Sequence, residues 1–277
     1  MSIKLKVKVS DIVRNIFLFI VFAVTIFPLV WMVINSFKNR SEIFIGPIWP
    51  EKFILDNYRF VIENLNIGRS FINTVIVTAF SIFLILIVSV MAGYAFAKIK
   101  FPGRDVIFLI FIASLTIPPQ VTLIPLFLML KEISLLDSLT GLIASYTGLG
   151  VAFSIFLMRA FFVTIPDALR ESAIIDGASE FVAFWKVILP LARPGIATVA
   201  IFQFVSIWNE FMYAATFILS PEKRTLQPAI RSLVGRYSTD WGALCAGMVI
   251  AVIPILITFI VLQKQFIKGL TAGAVKG

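Results

Sequence analysis

Long apolar runs alternate with short polar segments along most of this chain. A helix needs about 20 predominantly apolar residues to cross the hydrocarbon core of a bilayer, and six runs come close to that length. The predicted spans cover residues 16–34, 71–97, 106–130, 138–158, 195–219 and 242–263. Strands of a membrane barrel alternate polar and apolar side chains, whereas these runs are apolar on every side. The pattern therefore predicts an all-α polytopic membrane protein with six transmembrane helices.

Three prolines and one carboxylate interrupt the apolar pattern. Pro118, Pro119 and Pro125 fall within the third run, and proline removes a backbone hydrogen bond and clashes with the preceding turn. We therefore expect the third span to be kinked or broken and to border a cavity, where irregular backbone is tolerated at membrane depth. Glu210 is the one charged residue inside any of the runs, and an intramembrane carboxylate usually faces a bundle interior or a cavity.

Composition and charge agree with a location in a lipid bilayer. Hydrophobic residues make up 60% of the chain and charged residues 14%. The termini and the connections on their side carry 14 Lys and Arg residues, and the opposite side carries 10. Because basic residues favour the cytoplasmic side, both termini are predicted to be cytoplasmic. The net charge of +9 then reflects orientation in membrane lipid, and nucleic acid is not an expected partner.

The runs predict a single membrane domain over residues 16–267, between a cytoplasmic N-terminus at 1–15 and a cytoplasmic tail at 268–277. The first run is expected to remain in the mature protein. It is longer than a typical signal-peptide core, and Pro28 and Trp31 at its outer end do not resemble a small-residue cleavage site.

Composition also excludes several chemistries. The chain has no histidine and a single cysteine, Cys245, so histidine-dependent catalysis, imidazole metal sites, disulfides within the chain and cysteine metal clusters are excluded. The phosphate-loop pattern GxxxxGK(S/T) does not occur in the sequence. We therefore predict that the chain binds no cofactor or metal, is not an enzyme, and leaves any ATP hydrolysis to another subunit.

Residues 164–194, between the fourth and fifth runs, predict a helix, a turn and a second short helix. Pro166 suits the first turn of a helix, Gly177 suits a turn, and Ser179 can cap a second helix that ends near Pro190. Aromatic side chains on the second helix suit either a connector lying on the membrane surface or a knob that docks on a soluble partner.

The spacing in this segment resembles the cytoplasmic signature loop of ABC importer permeases, in which EAA is followed by three residues, glycine, nine residues and I-x-LP. The residues that carry the resemblance are Glu171, Ser172, Ala173, Asp176, Gly177, Ala178, Leu189 and Pro190. Ser172 stands in place of the usual first alanine and Val187 in place of the usual isoleucine. Both replacements keep a small or apolar side chain. The resemblance implies that Glu171 contacts an ATPase surface, Gly177 permits the tight turn and Pro190 sets the angle back into the membrane.

The resemblance extends along nearly the whole chain. FINTVIVT, AGYAFAKIKFPG, IPPQVTLIPLFLMLKEISLLDSLTGLI, WNEFMYA and GLTAGAVKG are similar to strings of the carbohydrate-uptake branch, specifically its maltose-type second permease subunit. This implies the type I ABC importer permease fold and a translocation pathway for a carbohydrate. It also implies a second homologous permease subunit, two ATPase subunits that use ATP and Mg, and an extracytoplasmic sugar-binding protein. The small-residue tail is then expected to reach the ATPase pair.

Polar side chains within the runs are candidates for the pathway. They are Asn73, Gln120, Gln203, Asn209, Glu210 and Tyr213. Such groups can bind sugar hydroxyls, but buried amides and carboxylates also tie helices together, and both interpretations stay open. Gly141, Ser145 and Gly148 form a small-residue face in the fourth run, which suits contact either within this subunit or with the partner permease.

Two external segments, residues 36–70 and 220–240, are expected to meet the binding protein or to serve as solvated connectors. Asp56 is expected to cap a helix in the first of them. Two rival functions are weighed against transport on ATP. An ion-coupled secondary transporter requires coupled carboxylates or inverted repeats, and an intramembrane enzyme requires catalytic groups clustered at one depth.

Overall fold

The computed structural model describes the backbone of residues 9–235 and 239–274, and the side chains of residues 11–235 and 239–263. Regular structure in this part of the chain is almost entirely helical, which confirms the predicted fold class. The N-terminal basic cluster and the last residues of the predicted tail lie outside the described residues.

The helices of the described part follow one another with short connections. They are α1 (Val9–Asn35), α2 (Arg40–Ile45), α3 (Asp56–Asn64), α4 (Ile67–Lys98), α5 (Arg104–Ser114), α6 (Leu123–Glu132), α7 (Leu139–Thr164), α8 (Asp167–Ile175), α9 (Glu180–Ala183), α10 (Leu189–Leu191), α11 (Arg193–Trp208), α12 (Met212–Phe217), α13 (Leu226–Arg231) and α14 (Trp241–Ala274). A 3-10 turn over Pro119–Thr122 precedes α6, and a wider π turn over Phe184–Ile188 joins α9 to α10. The backbone of α14 runs through the first residues of the predicted tail as a helix.

Four helices in the described part are long and apolar enough to cross a membrane, namely α1, α4, α7 and α14. Two further pairs of helices pass the same test together but are sharply bent. If each bent pair forms one span, the number of spans reaches six, which is consistent with the hydrophobic pattern.

The third apolar run is broken, as its prolines predict. α5 and the stretch Pro119–Glu132 meet at 92°, and the break lies just before Pro119. Pro125 leaves α6 uninterrupted, contrary to expectation, because it occupies the first turn of that helix, where no intrahelical donor is lost.

The fifth apolar run differs from the single helix predicted over 195–219. α11 ends at Trp208 and a separate short helix, α12, follows. Upstream, the stretch Glu180–Leu191 meets Arg193–Trp208 at 70°, so the second bent pair extends the run toward its N-terminal side.

The chain divides into two compact units, one formed by the residues up to Ile67 with Ile230–Val252, the other by Gly68–Ala229 with the residues from Ile253 onward. In the first unit the segment after α1 has structure of its own, including α2 and α3. Lys38 is 1% exposed, and its ammonium group donates to the carbonyl oxygen of Pro47 at 2.7 Å. Asp56 is the first residue of α3 rather than the residue that caps it, a place where its charge still favours the helix dipole.

In the second unit, α4 and α7 approach each other closely along their length. A Cβ atom on Gly93 of α4 would lie 2.6 Å from the Cβ of Met158 on α7, so only glycine allows this contact. Two apolar clusters follow from the packing. One contains Val77, Ile85, Leu142, Tyr146, Ile207 and Tyr213, and the other contains Val90, Tyr94, Met158, Phe162, Phe184 and Ile188.

Asp137, in the turn before α7, joins that turn to the loop after α12. Its backbone has a φ of +54°, in the left-handed region that Asp tolerates better than most residues. The carboxylate accepts hydrogen bonds from the backbone N–H groups of Leu219 and Ser220, each at 2.9 Å. It also accepts from the Ser220 hydroxyl and lies 3.3 Å from the Lys223 ammonium group. These bonds, led by those from Ser220, hold the pKa of Asp137 well below its ordinary value.

Candidate functional site

The fifth apolar run is interrupted around Glu210. α11 ends two residues before it and α12 begins two residues after it, so the first N–H groups of α12 lack helical partners. The Glu210 carboxylate accepts hydrogen bonds from the N–H of Tyr213 at 2.9 Å and of Ala214 at 3.1 Å. The hydroxyl of Tyr146, on α7, donates a third bond at 2.5 Å. Glu210 therefore caps a new helix and ties it to α7, which is how the carboxylate is accommodated within an apolar run.

Tyr213 joins this break to the break in the third run. Its hydroxyl donates to the carbonyl oxygen of Pro119 at 2.5 Å and lies 2.7 Å from the hydroxyl of Thr122. The side chain is 3% exposed. Backbone groups at both breaks thus have polar partners, which irregular backbone needs at membrane depth.

A cavity of about 650 Å³ lies against both breaks, within the size range of small-molecule sites. Its aromatic lining consists of Tyr146, Phe153, Phe202, Phe211 and Tyr213. Phe153 and Phe202 meet edge to face with ring centroids 5.8 Å apart. Aromatic faces beside a few polar groups can hold a polar ligand that also has apolar faces.

Five of the candidate pathway residues line this cavity: Gln120, Gln203, Asn209, Glu210 and Tyr213. They are not equally free to contact a ligand. The Gln203 amide donates to the carbonyl oxygen of Gly150 at 3.1 Å and to the hydroxyl of Ser154 at 2.9 Å, and so ties α11 to α7. Asn209 is exposed, and its amide donates to the carbonyl oxygen of Val205 at 2.9 Å, within its own helix end.

Asn73 lies apart from this cavity. It is 7% exposed, and its amide donates to the carbonyl oxygens of Glu222 and Arg224 at 2.9 and 3.0 Å. The structure therefore places Asn73 at a tie between α4 and the loop that follows α12.

Apart from Tyr213, sequence reasoning missed the aromatic lining. Tyr146 and Phe153 lie seven residues apart on α7, about two helical turns, so they share one face. That spacing was the available signal, but the surrounding run is apolar on every side and offers no contrast.

The small-residue face of α7 is divided between two environments. Gly141 and Ser145 are buried, and the Ser145 hydroxyl donates to the Gly141 carbonyl oxygen at 2.9 Å. Gly148 is exposed, and a Cβ there would meet nothing within 4 Å. The first two residues pack within this chain, whereas Gly148 faces outward.

The segment over residues 164–194, here named the signature segment, forms the predicted helix, turn and helix. α8 begins at Asp167, and Gly177 forms the turn with a φ of +87°. A Cβ on Gly177 would meet nothing within 4 Å, so glycine is required there by backbone conformation rather than by space. The Ser179 hydroxyl caps α9 by accepting from the N–H of Val182 at 3.4 Å.

The second helix of the signature segment ends at Leu191, one residue beyond Pro190, rather than before that proline. It continues through the π turn into α10, which contains Pro190, and the bend follows at Ala192. Most of the predicted docking residues are exposed, namely Glu171, Ser172, Asp176, Gly177 and Pro190, whereas Ala173, Ala178 and Leu189 are half-buried. Large apolar side chains beside them are also exposed, Ile175 to 84% and Phe181 to 67%.

Glu180 is a polar centre of this segment that the sequence did not reveal. Its two carboxylate oxygens accept from the guanidinium group of Arg170, each at 2.7 Å, and the Tyr94 hydroxyl of α4 donates to one of them. The hydrogen bond from Arg170 lowers the pKa of Glu180, and burial opposes this only in part. Nearby, the Lys98 ammonium group donates to Asp167 at 2.6 Å and lowers the pKa of that carboxyl.

Residues 85–271 match the family described as binding-protein-dependent transport system inner membrane component. The chain belongs to this family. Membership makes it a permease, a transport component, and the match includes the cavity and the whole signature segment.

Individual relatives of this permease agree with the family match. The diacetylchitobiose uptake system permease protein NgcG of Streptomyces coelicolor is 34% identical over 253 residues, which cover 90% of this chain and 84% of that protein. The arabinooligosaccharides transport system permease protein AraQ of Bacillus subtilis is 32% identical over 274 residues, 97% of each chain.

A solved structure shares the fold of the permease. It is a chain of a bacterial ABC transporter involved in the import of the acidic polysaccharide alginate, with a TM-score of 0.81 and 27% identity. The similarity covers 94% of this permease and 99% of that chain.

Proposed function

We propose that this chain is the transmembrane permease subunit of an ATP-driven, binding-protein-dependent carbohydrate importer. The observation that carries the proposal is the family match, which spans both a membrane-depth cavity and the signature segment. Relatives named for oligosaccharide uptake support a carbohydrate as the substrate class. Neither rival, the ion-coupled transporter or the intramembrane enzyme, has comparable support.

The cavity between the two breaks is the proposed part of the translocation pathway in this chain. Its edge-to-face pair of Phe153 and Phe202 offers apolar ring surface to a sugar face. Gln120 and Asn209 are exposed at its wall and offer amide groups to hydroxyls. Glu210 acts first as a helix cap, because three donors already occupy its carboxylate.

The exposed face of the signature segment is the proposed docking site for ATPase subunits. Ile175 and Phe181 supply apolar contact area there, and Glu171 and Asp176 supply charge at its border. Docked subunits that close on ATP would move this segment as a rigid body and open the pathway toward a sugar-binding protein outside. In this arrangement both termini are cytoplasmic and a second permease completes the pathway.

Purification of the tagged chain from its native membrane in mild detergent tests the proposal. We expect ATPase subunits and a second permease to copurify, and ATP hydrolysis to rise when the cognate binding protein and its sugar are added. Proteoliposomes in which the ATPase subunits face the lumen should accumulate labelled oligosaccharide only when ATP is enclosed in the lumen. Uptake driven by an ion gradient without ATP, or a chain that purifies alone from a membrane where it is active, would contradict the proposal.

A further inference from the structure

A cluster of polar side chains at one end of α4 joins three helices of the second unit. Arg170 belongs to α8, Glu180 to α9 and Tyr94 to α4. The Glu180 carboxylate accepts two bonds from Arg170 at 2.7 Å and one from the Tyr94 hydroxyl. A single carboxylate therefore holds both arms of the signature segment and the end of a long membrane helix.

The surroundings make this cluster rigid. The Tyr94 side chain is 5% exposed and packs against Phe162 and Phe184, with ring centroids 5.6 and 4.6 Å away. The bond between Arg170 and Glu180 uses two parallel N–H groups, a geometry that fixes orientation as well as distance. The side chains of these two residues are only 24% and 38% exposed, so solvent competes with the pair less than it does at an open surface.

A second tie attaches the start of α8 to the same helix. Lys98, one turn beyond Tyr94 on α4, donates to the carbonyl oxygen of Ile165 at 2.5 Å and to Asp167 at 2.6 Å. The Lys98 side chain is 3% exposed although its partner carboxylate is largely open. α8 is therefore attached to α4 at its first residue and again one turn later, through Arg170.

α4 carries this attachment to the cavity without interruption. The helix runs 32 residues from Ile67 to Lys98. Ile85, midway along it, touches the wall of the cavity, since a Cβ on Gly150 would lie 2.6 Å from its Cδ1. A displacement of the signature segment that moves α4 also moves this wall.

We propose that Glu180 is the positioning residue that makes the signature segment and α4 move as one body. The inference rests on the proposed function, in which ATPase subunits displace this segment. Without the Glu180 carboxylate, α8 keeps its place in the fold but can rotate about the backbone at Gly177, which has a φ of +87° and no neighbouring atoms within 4 Å of a Cβ position. Movement of the docked subunits is then lost in that turn before it reaches the cavity.

The first test measures sugar imported per ATP hydrolysed by the intact complex in proteoliposomes. We expect Glu180→Gln to lower this ratio about fivefold or more, the lower range of coupling between distant sites, while ATPase subunits still copurify. Tyr94→Phe keeps the ring packing, loses only the hydrogen bond, and should shift the ratio in the same direction. Glu132→Gln, an exposed carboxylate outside the segment, serves as the matched control and should leave the ratio unchanged. Exchange of the pair, Arg170→Glu with Glu180→Arg, should recover part of the loss relative to either single change.

The second test measures the distance between spin labels on α8 and α4. Cysteines replace Ala168 and Met91, both exposed, in a chain with Cys245→Ser. In the otherwise unaltered complex we expect one narrow distance that stays the same with and without ATP, and in Glu180→Gln a broad distribution. An unchanged transport ratio and distance in Glu180→Gln would overturn the proposal, as would a distance that changes with ATP while Glu180 is present.

Failure of the proposed function and failure of the positioning role of Glu180 give different results. If the unaltered complex shows no ATP-driven uptake, the proposed function is wrong, but the label distance in the membrane-embedded chain still reports whether Glu180 fixes α8 to α4. If uptake is normal and the Glu180 and Tyr94 variants couple like the Glu132 control, only the positioning role is wrong.

Discussion

The contacts of Glu210 explain both why a carboxylate lies in an apolar run and why the helix stops and restarts there. Its position in an apolar run made it a candidate for function, and its contacts show why the run can stop and restart at this point. The carboxylate receives two backbone N–H groups and the Tyr146 hydroxyl. A neutral side chain of the same shape has a single acceptor oxygen and cannot replace both carboxylate oxygens.

Glu210→Gln should therefore lower thermal stability and transport together. Its amide N–H₂ faces donors that were satisfied before, and leaving a buried donor unpaired costs about 1–3 kcal/mol. Tyr146→Phe removes one of three bonds and should cause a smaller loss. Thermal unfolding of the purified chain and uptake by the complex measure the two effects. Reduced transport at unaltered stability would instead assign Glu210 a direct contact with the sugar.

Asp137 offers a test by pH, because its folded pKa is depressed. A carboxyl whose pKa is lower in the folded than in the unfolded state stabilises the fold at pH values above its unfolded pKa, about 3.9. This contribution to stability is lost as the pH falls from there toward the folded pKa. Asp137→Asn keeps the shape and tolerates the left-handed backbone, but it lacks the charge that Lys223 and the N–H groups contact. At neutral pH we expect the variant to unfold about 2 °C or more below the parent chain.

This difference in melting temperature should shrink as the pH falls below about 4, because Asp137 of the unfolded parent chain takes up a proton there while the folded carboxyl, with its lowered pKa, is still charged. Scanning calorimetry of both chains at neutral and acidic pH measures it. A gap of constant size at every pH would show that the charge of Asp137 contributes little.

At the scale of the helices, sequence patterns identified what the backbone itself dictates. The prolines before α6 predict a break, since no local arrangement restores the backbone hydrogen bonds that they remove. The break is found there, with an angle of 92° between the two flanking helical stretches. The interruption around Glu210 contains neither proline nor glycine. It depends in part on the bond from Tyr146, 64 residues earlier in the sequence, and no local pattern could reveal that partner. The same reason hid Tyr94 as a partner of Glu180.

The close packing of α4 on α7 leads to a matched pair of substitutions. Gly93→Ala places a methyl group 2.6 Å from the Met158 Cβ and 3.0 Å from the backbone nitrogen of Arg159. Overpacking of this kind costs about 1–3 kcal/mol, more than the gain of up to about 1 kcal/mol that alanine brings to a helix. We expect Gly93→Ala to lower the melting temperature of the purified chain.

Gly148→Ala supplies the control on α7, since a methyl group there meets nothing within 4 Å. Its melting temperature should be unchanged or slightly higher. Equal losses from both substitutions would mean that helix flexibility, and not contact between α4 and α7, decides the stability.

At the scale of the whole molecule, the hydrophobic pattern predicts the spans but not their orientation in the membrane. The distribution of basic residues predicts the orientation. The basic bias predicts the signature segment in the cytoplasm and the segment after α1 outside. Single cysteines at Ile175 and Ile45, which are 84% and 91% exposed, can report this in a chain with Cys245→Ser. A membrane-impermeant maleimide should label Ile45→Cys in intact cells and Ile175→Cys only in inverted vesicles. The reverse pattern would turn the chain over and place the proposed docking site on the wrong side.

The hydrogen bond between Tyr146 and Glu210 also has a consequence for biosynthesis. Tyr146 lies 64 residues before Glu210, so the ribosome delivers α7 to the membrane well before the break emerges. A carboxylate that enters hydrocarbon alone is costly, but this one arrives after its phenolic partner is already in place. We therefore expect α7, which is synthesised earlier, to guide insertion of the fifth run. Because of this order of translation, the Glu210 carboxylate does not enter the lipid unpaired.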